Sequence, residues 1–337
     1  MSIGRYALRR IALMIFVLFG VTVVTFAVTH VVPVDPVLAL VGDHAPESLV
    51  RQVRKQFGLD KPLPVQYVVY VENVLHGNLG ISIADQQPVS RDLARYLPAT
   101  IELATAAIVV AIVVGLPAGI LSALYRNRWL DQIVRVVSLA GVSLPVFFTA
   151  LVFLALFYVK LRWLPGPGQL GTYTPAPPRI TGMVVVDALF AGDWAALVDG
   201  LRHLFLPAVV LGWSTAAIIA RMTRGSLLEV LGADYVRTAR AKGLHERRVV
   251  MRHAVRNALI PTVSVIGLAY GGLLQGAVLT ETIFSWPGIG RYATISAINV
   301  DVPAVMGVTL VAALIYSLVN LIVDLLYAYL DPRIRFS

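Results

Sequence analysis

The sequence lacks cysteine and is poor in charge. Charged residues make up 14% of its 337 residues, against about 25% in a typical soluble protein. Hydrophobic residues make up 58%, and the mean hydropathy is +0.77. A soluble protein could not cover its surface with so few charges, and a disordered chain would have the opposite balance. The composition therefore predicts an integral membrane protein, and the absence of cysteine excludes disulfides and thiolate metal sites.

The motifs of several enzyme classes are also missing. The six histidines are scattered and form no His-Glu-x-x-His pair, which argues against a metalloprotease. There is no Gly-x-Ser-x-Gly and no Gly-x-x-x-x-Gly-Lys-Ser/Thr, so neither a nucleophile elbow nor a phosphate-binding loop is present. We therefore expect a non-catalytic chain that binds no metal or cofactor. We interpret its net charge of +9 first as evidence on the orientation of the chain in the membrane, and not as a sign of nucleic-acid binding.

Six apolar segments are long enough, or nearly so, to cross a bilayer as helices, which takes about 20 residues. They are residues 11–32, 101–124, 136–159, 204–220, 258–280 and 302–323. Glu102 is the one charged residue inside them. The sequence thus predicts an all-α protein with six transmembrane helices.

The basic residues orient these helices. With a cytoplasmic N-terminus, 17 of the 28 Lys and Arg residues fall on the inner side, nine of them between Arg221 and Arg256. Cytoplasmic loops carry such an excess, so we expect both termini to be cytoplasmic. We divide the chain into residues 1–97, a helix with an extracytoplasmic loop, and residues 98–331, a five-helix core. That core carries an outer Pro/Gly-rich loop, 160–203, and an inner loop, 222–257.

The inner loop predicts two short helices with a glycine between them. Asp234 stands where an N-cap belongs, residues 235–242 have good helical propensity, and Gly243 suits the left-handed residue that ends a helix. Residues 246–256 can form a second helix that leads into the fifth span. A basic helix of this kind can lie on anionic lipid headgroups, whereas small residues such as Ala239 favour close approach by a protein partner. The residues alone leave both readings open.

The same segment resembles the coupling loop, or EAA loop, of ABC importer permeases. That pattern is Glu-Ala-Ala, three residues, then Gly, and Ala239 and Gly243 fit its spacing. Arg237 and Thr238 replace its Glu and first Ala, and the usual Leu-Pro element is displaced to residues 260–261. The amino-acid sequence of residues 234–244 is similar to that of the peptide/nickel branch of these permeases.

Further landmarks of that branch follow in order along the chain. They are Leu-Arg-Arg at 8–10, Phe-Gly-Leu-Asp-Lys-Pro-Leu-Pro-Val-Gln-Tyr at 57–67, Gly-Asn-Leu-Gly-Ile-Ser at 77–82, Arg-Met-Thr-Arg at 221–224, Thr-Glu-Thr-Ile-Phe-Ser-Trp-Pro-Gly-Ile-Gly at 280–290 and Asp-Pro-Arg-Ile-Arg at 331–335. Val-Asp-Pro at 34–36 replaces the branch's usual Gly-Asp-Pro. The resemblance covers nearly the whole chain and is nearest to the first permease subunit of dipeptide importers.

The resemblance implies a type I ABC importer permease fold in the bacterial cytoplasmic membrane. It implies a second homologous permease, two cytoplasmic ATPases that use ATP and Mg²⁺, an extracytoplasmic substrate-binding protein and surrounding membrane lipid, and no nucleic acid. This chain would form half of the translocation pathway for di- or oligopeptides. The residues that would dock on an ATPase are Tyr235, Arg237, Thr238, Ala239, Arg240, Lys242 and Gly243. We expect Ala239 to face the ATPase groove.

Four residues near the outer ends of the spans are candidates for the translocation path or an outer gate: Glu102, Glu281, Trp286 and Pro287. Glu102 could attract a peptide ammonium group, or could simply favour the helix dipole as a first-turn carboxylate. Glu281 opens a Pro/Gly-containing segment and could line the gate or fix a bend. Asp324, near the inner end of the sixth span, is expected to pair with Arg333 or Arg335 as a structural group.

Two alternatives stay open at this point. Within the same architecture, the substrate could be a nickel complex, glutathione, haem or an opine, because a separate binding protein selects it. In a different class, the chain could be a self-sufficient channel or a secondary carrier. The lack of intramembrane charges and of an inverted repeat weighs against that class.

Overall fold

The computed structural model describes residues 3–31, 45–56 and 60–330, which form helices joined by turns and irregular segments. The first three helices are α1 (Ile3–Val31), α2 (Glu47–Gln56) and α3 (Leu63–Leu75). Helix α1 contains a 22-residue apolar span in which most residues are exposed, so most of its apolar surface is left for lipid.

Helix α1 is held to its neighbours by a few polar contacts. Thr22 Oγ1 lies 2.9 Å from Tyr67 Oη, and Thr25 Oγ1 lies 2.9 Å from Tyr70 Oη, both on α3. At the opposite end, Arg10 Nη1 lies 3.0 Å from Asp324 Oδ2. The carboxylate of Asp324 is therefore paired within the described chain, while its predicted partners Arg333 and Arg335 lie outside the described residues.

Helix α4 (Val89–Leu124) contains the second predicted span and extends it by three turns at its N-terminal end. It contains Pro98 and Pro117 and continues past both. The division that we predicted after residue 97 thus falls inside a continuous helix. The physical reason is that a proline near the outer end of a long helix removes one backbone hydrogen bond but need not end the helix when neighbouring elements satisfy the freed group.

The third predicted span is bent rather than straight. It consists of α5 (Trp129–Ser143) and α6 (Val146–Phe153), which continues as a π-helix over Leu154–Lys160. The chain direction turns by 108° between the two halves. The bend lies at Leu144, which is extended (ψ 129°) and precedes a proline; proline disfavours the helical conformation in the residue before it.

Residues 161–183 are irregular, as the proline-rich sequence predicts. They lead into α7 (Val184–Ala191) and then into α8 (Trp194–Leu231). The Asp193 carboxylate accepts a hydrogen bond from the Ala196 backbone N–H at 3.0 Å and so caps α8. Helix α8 is 38 residues long and contains the fourth predicted span.

The remaining helices complete the bundle. The inner loop forms α9 (Asp234–Ala241) and α10 (Glu246–Arg248); a π-helix over Val249–Val255 then leads into α11 (Arg256–Gly276). Two short helices, α12 (Val278–Ile283) and α13 (Ile289–Ile298), precede α14 (Val302–Leu330). In the described part of the chain, five helices are long and apolar enough to span a membrane, and the bent pair gives a sixth if it is counted as one span. The prediction of an all-α protein is confirmed with five to six apolar spans.

The core forms where α4 crosses α8. A Cβ added to Gly212 of α8 would lie 2.5 Å from the Ala107 carbonyl oxygen of α4, and one added to Gly119 of α4 would lie 2.6 Å from the Ala220 carbonyl oxygen. Glycine at these positions lets the two backbones approach closely, as small residues do in membrane helix pairs. We call the end of the bundle that carries α9 the inner end, and the end that carries residues 161–193 the outer end.

Candidate functional site

Helix α9 packs one face on its own chain and leaves the other exposed. Val236 and Ala239, three residues apart, are buried in a cluster with Leu227, Val249 and Ala254. The side chains at 235, 237, 238, 240, 241 and 242 are exposed. A basic, polar surface is therefore presented at the inner end of the bundle, on a helix that is held firmly from behind.

The prediction that Ala239 faces outward is wrong. Its side chain is 7% exposed and packs in the inner cluster. The physical reason is the helical repeat: residues three apart share a face, so Ala239 lies beside Val236, whose burial decides which face points inward. The exposed alanine of α9 is Ala241.

The corner after α9 is shaped by Gly243. Its φ is +75°, and a Cβ added there would meet nothing within 4 Å. The requirement at this position is thus conformational, since L-residues other than Asn and Asp seldom adopt this region. The predicted left-handed glycine is confirmed. The predicted N-cap is wrong: Ala233 occupies the N-cap position, and Asp234 is the first residue of the helix. No side chain caps the N-terminus of α9.

Side-chain contacts join α9 to the following segment across this corner. Arg240 donates from Nη2 and Nε to the Glu246 carboxylate at 2.8 and 3.1 Å, and this hydrogen-bonded pairing raises the pKa of the Arg240 guanidinium. Asn257 Nδ2 donates to Tyr235 Oη at 3.0 Å. Two of the predicted docking residues, Tyr235 and Arg240, are therefore also engaged in holding the loop together.

At the outer end, Glu102 lies beside the start of α7. Its Oε1 accepts a hydrogen bond from the Val185 backbone N–H at 2.7 Å, and Gln169 Nε2 lies 3.4 Å from its Oε2. Because α4 begins at Val89, Glu102 is not in the first turn of its own helix, so our first-turn dipole explanation is wrong. The carboxylate instead meets the free N–H groups at the N-terminus of α7, which has no side-chain cap of its own.

Glu281 is fully buried within the bend between α12 and α13. It accepts hydrogen bonds from Thr100 Oγ1 at 2.7 Å and from the Arg291 backbone N–H at 3.0 Å. Trp286, also fully buried, donates from Nε1 to the Ala99 carbonyl oxygen at 2.8 Å. Together these contacts attach the bend to α4.

A cavity of about 340 Å³ adjoins this bend. Glu281, Gln275 and Thr309 are its polar lining residues, and the other lining residues are small or apolar. Pro287 is half-buried and is not among the lining residues. The predicted gate residues Glu281, Trp286 and Pro287 are thus brought together at one bend, whereas Glu102 lies at a different place, beside α7. Their role in a gate stays a prediction.

Sequence reasoning missed an ion pair at the inner end. Asp131, in the first turn of α5, is fully buried and receives both Nε and Nη2 of Arg224 at 2.8 and 2.9 Å. It missed a second carboxylate at the outer end: Asp301 is fully buried and accepts a hydrogen bond from Ser82 Oγ at 2.6 Å. The sequence shows each of these carboxylates only as an acidic residue near the end of an apolar stretch, and this pattern does not identify its hydrogen-bond partner.

Among the residues that the structure describes, no group of three His, Cys, Asp or Glu side chains is placed to hold a metal ion. Two features of the structure are candidates for function. One is the supported basic helix α9 at the inner end, and the other is the set of buried carboxylates that order the loops at the outer end. Both are suited to binding and movement of helices, and neither forms a nucleophile–base pair.

Proteins similar to this chain are transport permeases. A probable D,D-dipeptide transport system permease protein, DdpB of Escherichia coli K12, is 47% identical over 95% of this chain and 94% of its own length. The di/tripeptide transport system permease protein DppB of Pseudomonas aeruginosa UCBPP-PA14 is 46% identical over 97% of both chains. The glutathione transport system permease protein GsiC of Escherichia coli O6:H1 is 37% identical over 98% of this chain and 99% of its own.

A solved structure supports the fold independently. The crystal structure of an amino acid ABC transporter with histidines matches with a TM-score of 0.50 at 11% identity, covering 71% of this chain and 94% of that chain. Two family descriptions match by sequence: the N-terminal membrane component of binding-protein-dependent transport systems over residues 3–104, and the inner membrane component over residues 115–336. The chain therefore belongs to the family of inner membrane components of binding-protein-dependent transport systems.

Proposed function

We propose that this chain is the permease subunit of an ATP-driven importer, forming half of the pathway by which di- or oligopeptides cross the cytoplasmic membrane. The observation that carries the proposal is the 42–47% identity to peptide permeases over 95–98% of the chain. Similarity that extends through every helix and loop supports a shared mechanism as well as a shared fold.

The substrate class that these relatives have in common is a short peptide. Their names give D,D-dipeptides, dipeptides and di/tripeptides at the higher identities and glutathione, itself a small peptide derivative, at 37%. Nickel complexes, haem and opines stay as alternatives within the same architecture. In this proposal the extracytoplasmic binding protein selects among them, so the test must use a binding protein loaded with a defined peptide.

The energy for import has to come from partner subunits. The sequence contains no phosphate-binding loop, so the chain itself is not the ATPase. The proposed assembly adds a second, homologous permease, two ATPases that bind ATP and Mg²⁺, and the binding protein after which the family is named. Purified alone, the chain should neither bind nor hydrolyse ATP.

Helix α9 is proposed to be the element that touches an ATPase. Its exposed face carries Arg237, Thr238 and Lys242, while Val236 and Ala239 fix it to the rest of the inner end. A helix held this way transmits a push from a partner as a rigid body, which alternating access between two orientations requires. If α9 instead binds lipid headgroups, only the positive charge of this face would matter for its role.

The termini and α9 are proposed to be cytoplasmic. The chain has no native cysteine, so single cysteines can be introduced and labelled from either side of the membrane. Cysteine at position 175 should react with an impermeant reagent in intact cells, and cysteine at position 240 should react only after the cells are opened. Labelling of position 240 from outside would reverse the orientation.

Reconstitution tests the proposed function directly. The complex of both permeases and both ATPases in proteoliposomes should take up radiolabelled dipeptide only when ATP and peptide-loaded binding protein are both present. Uptake by this chain alone, without ATP, would support the channel or carrier class and contradict the proposal. ATP-dependent uptake of a nickel or haem complex but of no peptide would keep the architecture and replace the substrate.

The docking role of α9 is tested at its corner. Gly243→Val should reduce co-purification of the ATPases at least tenfold, because a β-branched residue at φ +75° costs about 1–2 kcal/mol or more. Gly243→Asn is the matched control and should retain them, since Asn tolerates this region. Ala241→Glu should also reduce docking. If only neutralising two of Arg237, Arg240 and Lys242 has an effect, α9 binds lipid headgroups instead.

A further inference from the structure

The buried carboxylate of Asp131 accepts four hydrogen bonds at the inner end. Its Oδ1 accepts from Ser122 Oγ at 2.5 Å and from Arg224 Nε at 2.8 Å. Its Oδ2 accepts from the Asn127 backbone N–H at 2.9 Å and from Arg224 Nη2 at 2.9 Å. Each oxygen therefore has two donors, and the guanidinium meets the carboxylate in the two-pronged geometry that fixes orientation as well as distance.

These donors come from separate parts of the fold. Ser122 lies in the last turn of α4, Asn127 lies in the turn between α4 and α5 with φ +63°, and Arg224 lies in the inner part of α8. Asp131 thus joins the inner ends of three helices at one point. Its side chain is completely buried, and that of Arg224 is 22% exposed, so water competes little for this pair.

The pair lies at the inner end of the crossing between α4 and α8. Along that crossing, Gly119 and Gly212 let backbone approach backbone, and larger side chains such as Leu103 and Ile219 pack in the core cluster. Apolar contacts of this kind have little directionality, and small shear movements between packed helices are a common form of conformational change. The bidentate pair adds a directional contact that resists such shear.

The same part of α8 supports α9. Leu227, one turn beyond Arg224, is fully buried and belongs to the cluster that also contains Val236 and Ala239 of α9 and Ala123 of α4. The chain that leaves α8 at Leu231 enters α9 three residues later. A displacement of α9 therefore reaches α8 as well as the segment Val249–Val255, and the ion pair passes the movement of α8 to α4 and α5.

We propose that Asp131 and Arg224 are positioning residues that fix α4 and α5 to α8, so that movement of α9 shifts the inner ends of all three helices together. This inference rests on the proposed function, because it assigns the route by which ATPase closure at α9 reaches the pathway. Loss of the pair should let α8 move while α4 and α5 lag, and ATP would then be hydrolysed without completing transport.

The test measures peptide transported per ATP hydrolysed in proteoliposomes containing the full complex, at equal amounts of incorporated complex. Asp131→Asn and Arg224→Lys should each lower this ratio at least tenfold. The double change Asp131→Leu with Arg224→Met replaces the pair by apolar side chains, a replacement that buried ion pairs often tolerate in stability, and should lower the ratio equally. Asp324→Asn is the control, because the Arg10–Asp324 pair joins α1 to α14 and does not involve α9.

The outcomes separate the two proposals. If the wild-type complex shows no ATP-dependent peptide uptake, the proposed function fails. If the wild-type complex couples ATP hydrolysis to peptide uptake and the Asp131 and Arg224 variants keep its ratio of peptide transported to ATP hydrolysed, the proposed function stands and this inference is overturned. An equal loss in Asp324→Asn would also overturn it, because any weakened inner-end pair would then suffice.

A distance measurement keeps the inference testable even where a variant assembles poorly. Spin labels at Leu124→Cys on α4 and Asp234→Cys on α9 can be placed in the cysteine-free chain, and both positions are exposed. In the otherwise wild-type complex their separation should be the same in the nucleotide-free and vanadate-trapped states. A separation that changes between these states would show that α4 does not move with α9 and would overturn the inference.

Discussion

The two ends of the bundle use buried carboxylates in different ways. At the outer end, Glu281, Asp187 and Asp301 are at most 2% exposed and accept hydrogen bonds from backbone N–H and hydroxyl groups. At the inner end, Asp131 is equally buried but meets the guanidinium of Arg224. The outer carboxylates bind uncharged donors, whereas the inner one forms an ion pair that joins α5 to α8 and also accepts a hydrogen bond from Ser122 of α4.

The difference follows from what each partner can fix. A carboxylate that binds successive backbone N–H groups fixes the local course of the chain, as Asp187 does for residues 180–182. A carboxylate that binds a guanidinium on another helix fixes the distance between the two helices. Asp187 thus orders a local loop, and Glu281 and Asp301 attach distant segments through uncharged donors. The ion pair lies at the inner end, where a partner subunit is proposed to act.

The largest effect should come from breaking the inner pair. Asp131→Ala leaves Arg224 without its carboxylate in a mostly buried place, which typically costs about 3–5 kcal/mol. Asp324→Ala breaks a pair whose side chains are 21% and 40% exposed, and the cost there should be about 0–1 kcal/mol. Thermal unfolding of the purified chain in detergent measures both. Equal losses in the two variants would show that burial does not distinguish these pairs.

An intermediate effect is expected at the outer bend. Glu281→Ala leaves Thr100 Oγ1 and the Arg291 backbone N–H without their shared acceptor, and two unmet donors should together cost about 2–4 kcal/mol. Glu281→Gln keeps an acceptor oxygen and should lose about 1 kcal/mol or less, because no cation depends on the charge. If Gln is as damaging as Ala, the negative charge itself is required at the bend, and the contrast with the inner end is weakened.

The smallest effect should be a pH dependence in the outer loop. Burial raises the pKa of the Asp187 carboxyl, but hydrogen bonds from Thr181 and from the Gly182 backbone outweigh it, so the pKa lies below its usual 3.8. A lowered pKa means that the stabilisation is complete above about pH 4 and is lost as the pH falls through the folded-state value. Hydrogen exchange at residues 180–182 should therefore be protected equally from pH 5 to pH 8.

The control for that measurement is Asp187→Asn. It should expose the same three amides to faster exchange, by about tenfold, across the whole range, since an amide side chain offers one acceptor oxygen in place of two. Loss of protection in the unmodified chain between pH 5 and pH 7 would contradict the lowered pKa.

The spans and the glycine corner could be predicted because they depend on local sequence. Apolar length decides which segments cross the bilayer, and Gly243 after a run of helix-forming residues indicates a left-handed turn. The break in the third span was missed because Pro145 is also compatible with a kinked but continuous helix, and sequence does not say which neighbours satisfy the freed backbone groups.

The side-chain partners needed the tertiary structure. Glu102 was read against its own helix, while its hydrogen bond is to Val185, 83 residues away. Ala239 was assigned outward from a motif, while the burial of Val236 fixes it inward. Asp131 and Arg224 are 93 residues apart, and nothing in either neighbourhood identifies the other as its partner.

By itself, then, the sequence determined the class of protein, the apolar segments, the basic inner loop and the family resemblance. Each of these depends on composition, on apolar length or on contiguous motifs, and none requires knowing which helices are neighbours. The tertiary structure alone decided which face of α9 is free and which carboxylates meet backbone or guanidinium. Those outcomes are set by packing between helices distant in sequence, where rotation of a helix by about 100°, the angle between successive residues, exchanges one partner for another.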